Sequence, residues 1–439
     1  MKTISLLFSL GMMLGVTSLE AKETEQFTKN ITVQESIGSS QRIQISNRYG
    51  DVSINTWNQD AVKVVATIEG ATDEADELSK LYESLEESII QLKDYVYIST
   101  PVSKYQNSNW VFGNRSIGKS ELVLTNGKKF DIADFKMQLN ITIPDGHELS
   151  VSTKYHDLEI ASYNGRASID HYNGDLKLGT LGSESRVAIK YGSVEVLKAD
   201  RLSLSIYDSR LKIASVNDLS LTSKYSDIAL GDLRKLKVSS FDDEITMGNA
   251  EELTLSAKYS ELTANDIASV RADLYEGELD MRNARAVLLN AKYADISIES
   301  VEEFTMGESY DNDISIGRAG GVSVGSSKYS DVSIDELTGS LTATSYDDDW
   351  EIDLVKSSVS TISITAQYGD VEITVEDDWG HALKATLRYG DLDFDKGHYN
   401  ISIENDADTS YTLSAATRKG SGGSISLSGY STDFDISVK

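Results

Sequence analysis

A chain that repeats one short phrase at a fixed interval can bury its apolar side chains in few ways. Here "KYSDIAL" (224–230) returns as "KYADISI" (292–298) and "KYSDVSI" (328–334). Aligned on the apolar residue after each turn, the copies alternate between two types. One reads Lys-Tyr-x-acid-apolar, as in "KYHDLEI" (154) and "KYSELTA" (258). The other lies between them, as in "YNGDLKL" (172), "FDDEITM" (241) and "YDDDWEI" (346). The turn-following residues run Leu158, Leu176, Val194, Leu211, Ile228, Ile245, Leu262, Leu279, Ile296, Ile314, Val332 and Trp350, in steps of 17 or 18. Val371 and Leu392 follow at steps of 21, and Phe434 fits a last copy.

Each unit alternates apolar and polar residues on both sides of its turn, as Leu219, Leu221 and Ser223 do before Ile228 and Leu230. That is a half-buried strand, a turn and a second half-buried strand, with no room for a helix. Strands this short make no core alone, but stacked units of constant length bury each strip against the next. The expected fold is all-β: a right-handed parallel β-solenoid of 17–18 residues per coil. An antiparallel sandwich would not require the constant length. The alternation also indicates one unit per coil. Lys224, Lys258, Lys292 and Lys328 then sit between aromatic neighbours, and each Tyr sits between acids. Two units per coil would set Lys on Lys and Asp on Asp, which a sheet disfavours. Recurring positions of the repeat are Tyr49, Tyr155, Tyr191, Tyr225, Tyr259, Tyr293, Tyr329, Tyr368 and Tyr389.

The flanks differ. "MKTISLLFSLGMMLGVTSLEAKE" pairs Lys2 with a short apolar run and small residues, the layout of a signal peptide over 1–21. A β region follows over 22–150, and the repetitive solenoid over 151–439. Ala75, Leu78, Leu81, Leu85 and Ile89 form an apolar stripe at helical spacing. This predicts one amphipathic helix over 73–89, begun by Asp73, Glu74, Asp76 and Glu77 and covering the solenoid's N-terminal edge. Residues 104–135 read as a loop or hairpin insertion, and 404–423 as an interruption or cap of the last coils.

The formal charge of −29 opposes binding of nucleic acid or anionic lipid, which need a basic footprint. No Cys is present, so disulfides, thiolate metal sites and a Cys nucleophile are excluded. No later segment is apolar and long enough to span a membrane. His147, His156, His171, His381 and His398 form no metal-spaced pair and read as turn residues. Acids cluster at corresponding turns, four and then two units apart: Asp242 and Asp243, Asp311 and Asp313, Asp347 and Asp349. Oxygen ligands in such turns are the candidates for weakly bound calcium, although acids also favour tight turns for backbone reasons. The 22 Tyr, against 9 Phe and 4 Trp, could bind glycans or form a packing ladder across coils.

"NRYGDVSINTWNQDAVKVVATIEG", then a helical segment, then "LNITIPDGHELSVSTKYHDLEI" resembles the bacterial putative-adhesin domains of unknown function. The resemblance covers most of the chain beyond residue 21. It implies an exported β-solenoid with recurring G-D-V-x-I turns and no catalytic residues. The expectation is a non-enzymatic, adhesin-like protein of the periplasm, cell surface or medium, facing a glycan or surface protein. The competing class is a carbohydrate-active β-helix enzyme, a lyase or hydrolase using turn carboxylates. One non-repeating cleft with convergent acids and a Lys or Arg would favour the enzyme; a uniform face would favour the binder. N-terminal sequencing of the protein from its native host should begin near Lys22 or Leu19. An intact Met1 would overturn the signal peptide.

Overall fold

A computed structural model describes residues 25–112, 115–420 and 422–439. The expected signal peptide lies outside these residues. The described chain is a parallel β-solenoid with one α-helix near its N-terminus. Successive units lie in register, one per coil. Asp218–Lys224 pairs with Arg201–Tyr207 on one side and Lys235–Phe241 on the other. Asp227–Leu230 and the short Asp232–Leu233 stretch pair with Arg210–Ile213 and Ser215–Val216. Each coil therefore has three hydrogen-bonded stretches.

The period-2 pattern decides what is inside. Leu219, Leu221, Ile228, Leu230 and Leu233 are buried, and each stands on its counterpart one coil away. Truncating one such Leu to Ala would cost about 2–5 kcal/mol, because neighbouring coils cannot close the gap.

The main corner is built from an unusual backbone. Tyr225 has φ 56°, between Asp208 at 47° and Asp242 at 56°. The same left-handed residue recurs in every coil from Tyr155 (68°) through Tyr389 (57°). Asp and Asn accept this conformation readily, whereas for Tyr it costs about 1–2 kcal/mol. Tyr49 departs from the pattern. Its strand register holds, since Val52 pairs with Leu158, but the positive φ falls on Gly50 (99°). A side chain at Gly50 would collide with the Met137 carbonyl.

Both ends are covered. At the N-terminal end, Ala133–Pro144 pairs with Val52–Trp57, and Ala61–Thr72 and Glu25–Ser36 extend that sheet antiparallel. Val96–Ser99 covers Ile43–Asn47. The helix spans Ala75–Ile89, two residues shorter than expected at its start. Leu81, Leu85 and Ile89 are fully buried, and the helix packs on Glu25–Ser36, Ile90–Leu92 and Val96–Ser99. The insertion expected within 104–135 is a hairpin, Val102–Phe112 with Arg115–Leu124, joined by Lys129–Phe130.

The C-terminal end corrects the order expected from sequence. The coil of Phe434 does not follow that of Leu392. Gly423–Tyr430 lies between Thr361–Gln367 and His381–Arg388, and Asp433–Val438 lies between Asp370–Val375 and Leu392–Phe394. The last coil in sequence is thus inserted between the two before it. Gln367-Tyr368 and Arg388-Tyr389 are the same unit type, both with Tyr at the left-handed corner. Tyr430-Ser431 is the other type, with Ser431 at φ 50°. Only with it between them does the alternation continue. Ser410–Thr417 and Tyr399–Ala407 then cover the outer edge of His381–Arg388.

A chain ending at Gly420 should therefore lose amide-exchange protection across both 362–375 and 382–394, while 341–355 stays protected. Retained protection in 382–394 would mean that its coil docks directly on 361–375, and that ring alternation does not set the order.

Candidate functional site: the tyrosine ladder and its carboxylates

The corner residues bring the Tyr side chains into one column. Fifteen rings run from Tyr155 and Tyr172 through Tyr191, Tyr207, Tyr225 and Phe241 to Tyr346, Tyr368, Tyr430 and Tyr389. Each meets the next edge-to-face, with centroids 5.3–5.9 Å apart and planes at 71–85°. Such contacts contribute about 0.5–1.5 kcal/mol each beyond area burial. Each corner Tyr makes two, except Tyr155 and Tyr389 at the ends, which offsets its backbone cost. Tyr49 is not in the ladder. Arg48 lies over both Tyr49 and Tyr155, at 5.8 and 6.0 Å. Arg388 lies over Tyr389 and Tyr430 at the other end, at 5.1 and 6.0 Å.

The corner Tyr residues remain open to solvent, from 39% at Tyr368 to 51% at Tyr155. Partial desolvation, followed by the adjacent Tyr and Asp groups, raises the Tyr191, Tyr293 and Tyr329 phenols above their ordinary value. They stay neutral at physiological pH, with hydroxyls able to donate. Lys224, Lys258 and Lys328 lie over Phe241, Tyr275 and Tyr346 at 5.5, 5.2 and 5.9 Å. The diagonal Lys–carboxylate pairs that the alternation allows do not form within 4 Å among the described residues.

The six candidate calcium ligands fall into three columns. Asp242, Asp311 and Asp347 share the left-handed corner with the Tyr residues. Asp243 points inward and is buried. Asp313 and Asp349 project outward one position later. Among the described residues, no three His or carboxylate groups converge as a metal set would.

Asp243 belongs to a buried polar ladder that the sequence reading missed. In successive coils the residue after the corner turns inward, and its side chain accepts from the equivalent amide of the coil before. Ser226 Oγ accepts from Ser209 N at 3.3 Å, Asp243 Oδ1 from Ser226 N at 2.9 Å, and Ser260 Oγ from Asp243 N at 3.2 Å. Asn312 and Asp348 accept from Ala294 and Ser330 in the same way. The signal was a small or polar residue recurring at the third position. Asp243 also accepts from the Ser223 and Ser240 hydroxyls, both at 2.6 Å. Asp348 is less well provided: the Ser345 hydroxyl, counterpart of Ser240, is buried without a partner. Burial pushes the Asp348 carboxyl up to about 6.

One position further, acids stack on acids. Asp295, Asp313, Asp331 and Asp349 are directly in register, within a run from Asp227 through Glu244, Glu261 and Glu278 to Asp370, Asp433 and Asp391. This corrects the expectation that like charges would avoid one another. The column is exposed, where high dielectric reduces each repulsion to about 1 kcal/mol. Some acids also accept an amide of the next coil, as Asp349 does from Asp370 N at 2.9 Å. Desolvation first, then neighbouring Asp residues, raises Asp331 and Asp370. Asp295, Asp313, Asp331, Asp349 and Asp370 line a shallow groove of about 780 Å³. In the middle coils another column alternates in sign: Arg201, Asp218, Lys235 and Glu252 stand in register, with Lys235 Nζ 2.7 Å from Glu252.

Two His residues are not the turn residues expected. His171 is buried, with Nδ1 2.5 Å from Thr153 Oγ1, and burial lowers its pKa. His381 is buried at the C-terminal end.

No family model matches the chain, and no curated protein matches it. Among solved structures, one described as a putative cell adhesion protein from Clostridium sporogenes aligns over 94% of this chain and 100% of its own. The identity is 9% and the TM-score 0.17, a likeness too slight to carry an argument.

Asp348 yields a pH test. Its folded-state pKa is raised above the ordinary carboxyl value of 3.8, so the folded state binds the extra proton. The stability this adds is fully present below about pH 4 and is lost as pH rises through about 6. Asp348→Asn should therefore be more stable than wild type at pH 7.5 by about 3 kcal/mol, at about 1.4 kcal/mol per pKa unit. The advantage should vanish near pH 4. Asn312 shows that an amide fits this ladder. Denaturant melts at the two pH values decide it; an equal difference at both would overturn the assignment.

Proposed function

We propose that this chain is an exported, adhesin-like β-solenoid that works by binding, and that its tyrosine ladder docks an extended polysaccharide. The observation that carries the reading is the period of the exposed rings. The left-handed corner holds a Tyr in every second coil, and two coils rise about 9.6 Å. That is the length scale of a disaccharide repeat, and ring faces and neutral phenol donors at that spacing suit a sugar polymer. The adjacent carboxylate column favours a neutral or amine-bearing chain over an acidic one, by charge complementarity. Export is supported by the N-terminal layout, and among the described residues no helix is long and apolar enough to cross a membrane.

The enzymatic alternative lacks an accessible proton donor among the described residues: Asp348, whose carboxyl is raised to about 6, is fully buried inside the coil stack. A general acid needs a carboxyl held protonated near working pH, and the turn acids recur one per coil instead of converging. The non-repeating cleft near the C-terminal end contains Glu376 and Asp377, but both are lowered. The hydrogen bond from Lys356 is the main cause at Glu376, and that from Lys419 at Asp377.

The test replaces three corner rings: Tyr225→Asn, Tyr259→Asn and Tyr293→Asn together. Asn173 already occupies this corner at φ 57°, so the backbone should tolerate the change. Wild type should bind at least one neutral or amine-bearing polymer on a polysaccharide array, and the triple variant should bind at least tenfold more weakly while remaining folded. Equal binding by the two proteins, or no binding of any polymer, would overturn the reading.

A further inference from the structure

The inserted coil interrupts the repeat near the C-terminal end. To leave a gap for it, residues 376–380 step past one coil, and the chain beyond Thr417 returns to set Gly423–Tyr430 in that gap. Between these connections and the segment 397–399 lies a cleft of about 290 Å³. It belongs to no column of the solenoid.

Its inner wall is aromatic. Trp379 and Tyr399 are each 3% exposed, and His381 packs on both, with ring centroids 4.3 Å from Trp379 and 5.5 Å from Tyr399. His381 Nδ1 lies 3.1 Å from the Trp379 carbonyl, which can only accept, so that nitrogen carries the proton. Nε2 then accepts from the Tyr399 hydroxyl at 2.8 Å. This wall is rigid and uncharged: burial lowers His381 and pushes Tyr399 up to about 12. Val375 and Val438 complete the apolar lining.

The rim is charged, and one of its charges has no partner. Glu376 is held by Lys356. Asp377 is held by Lys419 at 2.7 Å. His398 lies 2.8 Å from Asp395 and 3.7 Å from Asp377. Arg418 also lines the cleft, is exposed, and has no carboxylate within 4 Å among the described residues. In a chain of formal charge −29, Arg418 thus sets an unpaired guanidinium beside a buried aromatic wall. A planar guanidinium receives a carboxylate through two parallel hydrogen bonds.

We infer that this cleft is a binding site for a small ring-bearing carboxylate, of monosaccharide-acid size, whose carboxylate pairs with Arg418 and whose ring lies against the Tyr399–Trp379 wall. The site is separate from the tyrosine ladder and does not rest on the ladder's proposed role. Glu376 and Asp377, both ionised and already paired, fix Lys356 and Lys419 and leave Arg418 free for the ligand.

The experiment titrates the full chain with sodium glucuronate, sodium benzoate and glucose by saturation-transfer NMR and calorimetry. Saturable binding of glucuronate, none of glucose, and at least tenfold weakening in Arg418→Ala is the expected result. Benzoate binding without glucuronate binding, with the same loss in Arg418→Ala, would support the ring-carboxylate site and identify an aromatic acid as its source. Binding of neither acid, equal binding of glucose, or unchanged binding in Arg418→Ala overturns the site. Arg418→Lys guards against a folding defect: it keeps the charge but not the paired hydrogen bonds, and should fall between wild type and Arg418→Ala. The ladder triple variant should bind glucuronate as wild type does, so the two sites fail independently.

Discussion

The left-handed corner is the constraint on which the rest of this molecule depends. A solenoid coil must turn sharply at the same place each time, and here it does so through one residue at positive φ. Asp, Asn, Glu and Ser fill that place in seven of the fifteen coils from Tyr155 to Ser431. Tyr fills it in the others, although its own backbone preference opposes this. The ring contacts offset the cost, and they do so only when the neighbouring coils supply an aromatic residue one position earlier. Two unlike units therefore need each other. The alternation follows from steric cost and its remedy, with the Lys-over-ring contacts as a smaller addition.

This mutual need explains the order of the coils better than chain connectivity does. Consecutive elements are usually neighbours in space. The coil at 381–394 is not the neighbour of the one at 361–375, because both carry Tyr at the corner and neither can supply the other's missing ring. The chain accepts a longer path and a non-repeating cleft so that Tyr430 can stand between Tyr368 and Tyr389. In a structure whose stability is close to a sum of unit and nearest-neighbour terms, such a local mismatch is not averaged away by a common core. It acts at one interface, and the chain resolves it there.

The parts of the fold carried by periodicity were legible in the sequence. Leu219, Leu221, Ile228 and Leu230 announce their burial by alternation, and constant spacing announces parallel stacking. Leu81, Leu85 and Ile89 announce the helix. What failed rested on assuming that space follows sequence. Phe434 was placed after Leu392 because it comes later, although two Tyr-corner units in succession, at 368 and 389, already signalled a missing partner. The acid column was misjudged for a different reason. The rule against opposed like charges is strong where side chains are crowded and weak where they reach water, and Asp313 and Asp331 stand at an exposed corner. The buried Ser, Asn and Asp ladder was hidden because its members share only a polar atom at one position, not a residue type.

The same physics separates two kinds of surface. Wherever the repeat holds, every coil offers its neighbour's chemistry again, so a partner meets a line of equal, weak contacts. Such a face gains strength from the length of what it binds, as multivalent contacts do. It is poorly suited to chemistry at a single bond, which needs groups that differ from their neighbours in protonation and position. Unlike groups converge where the repeat is interrupted, at Trp379, His381, Tyr399 and Arg418. That convergence follows directly from inserting the last coil out of order. The constraint that makes the ladder uniform thus also produces a cleft that is not, and the protein carries an extended face and a discrete pocket for the same structural reason.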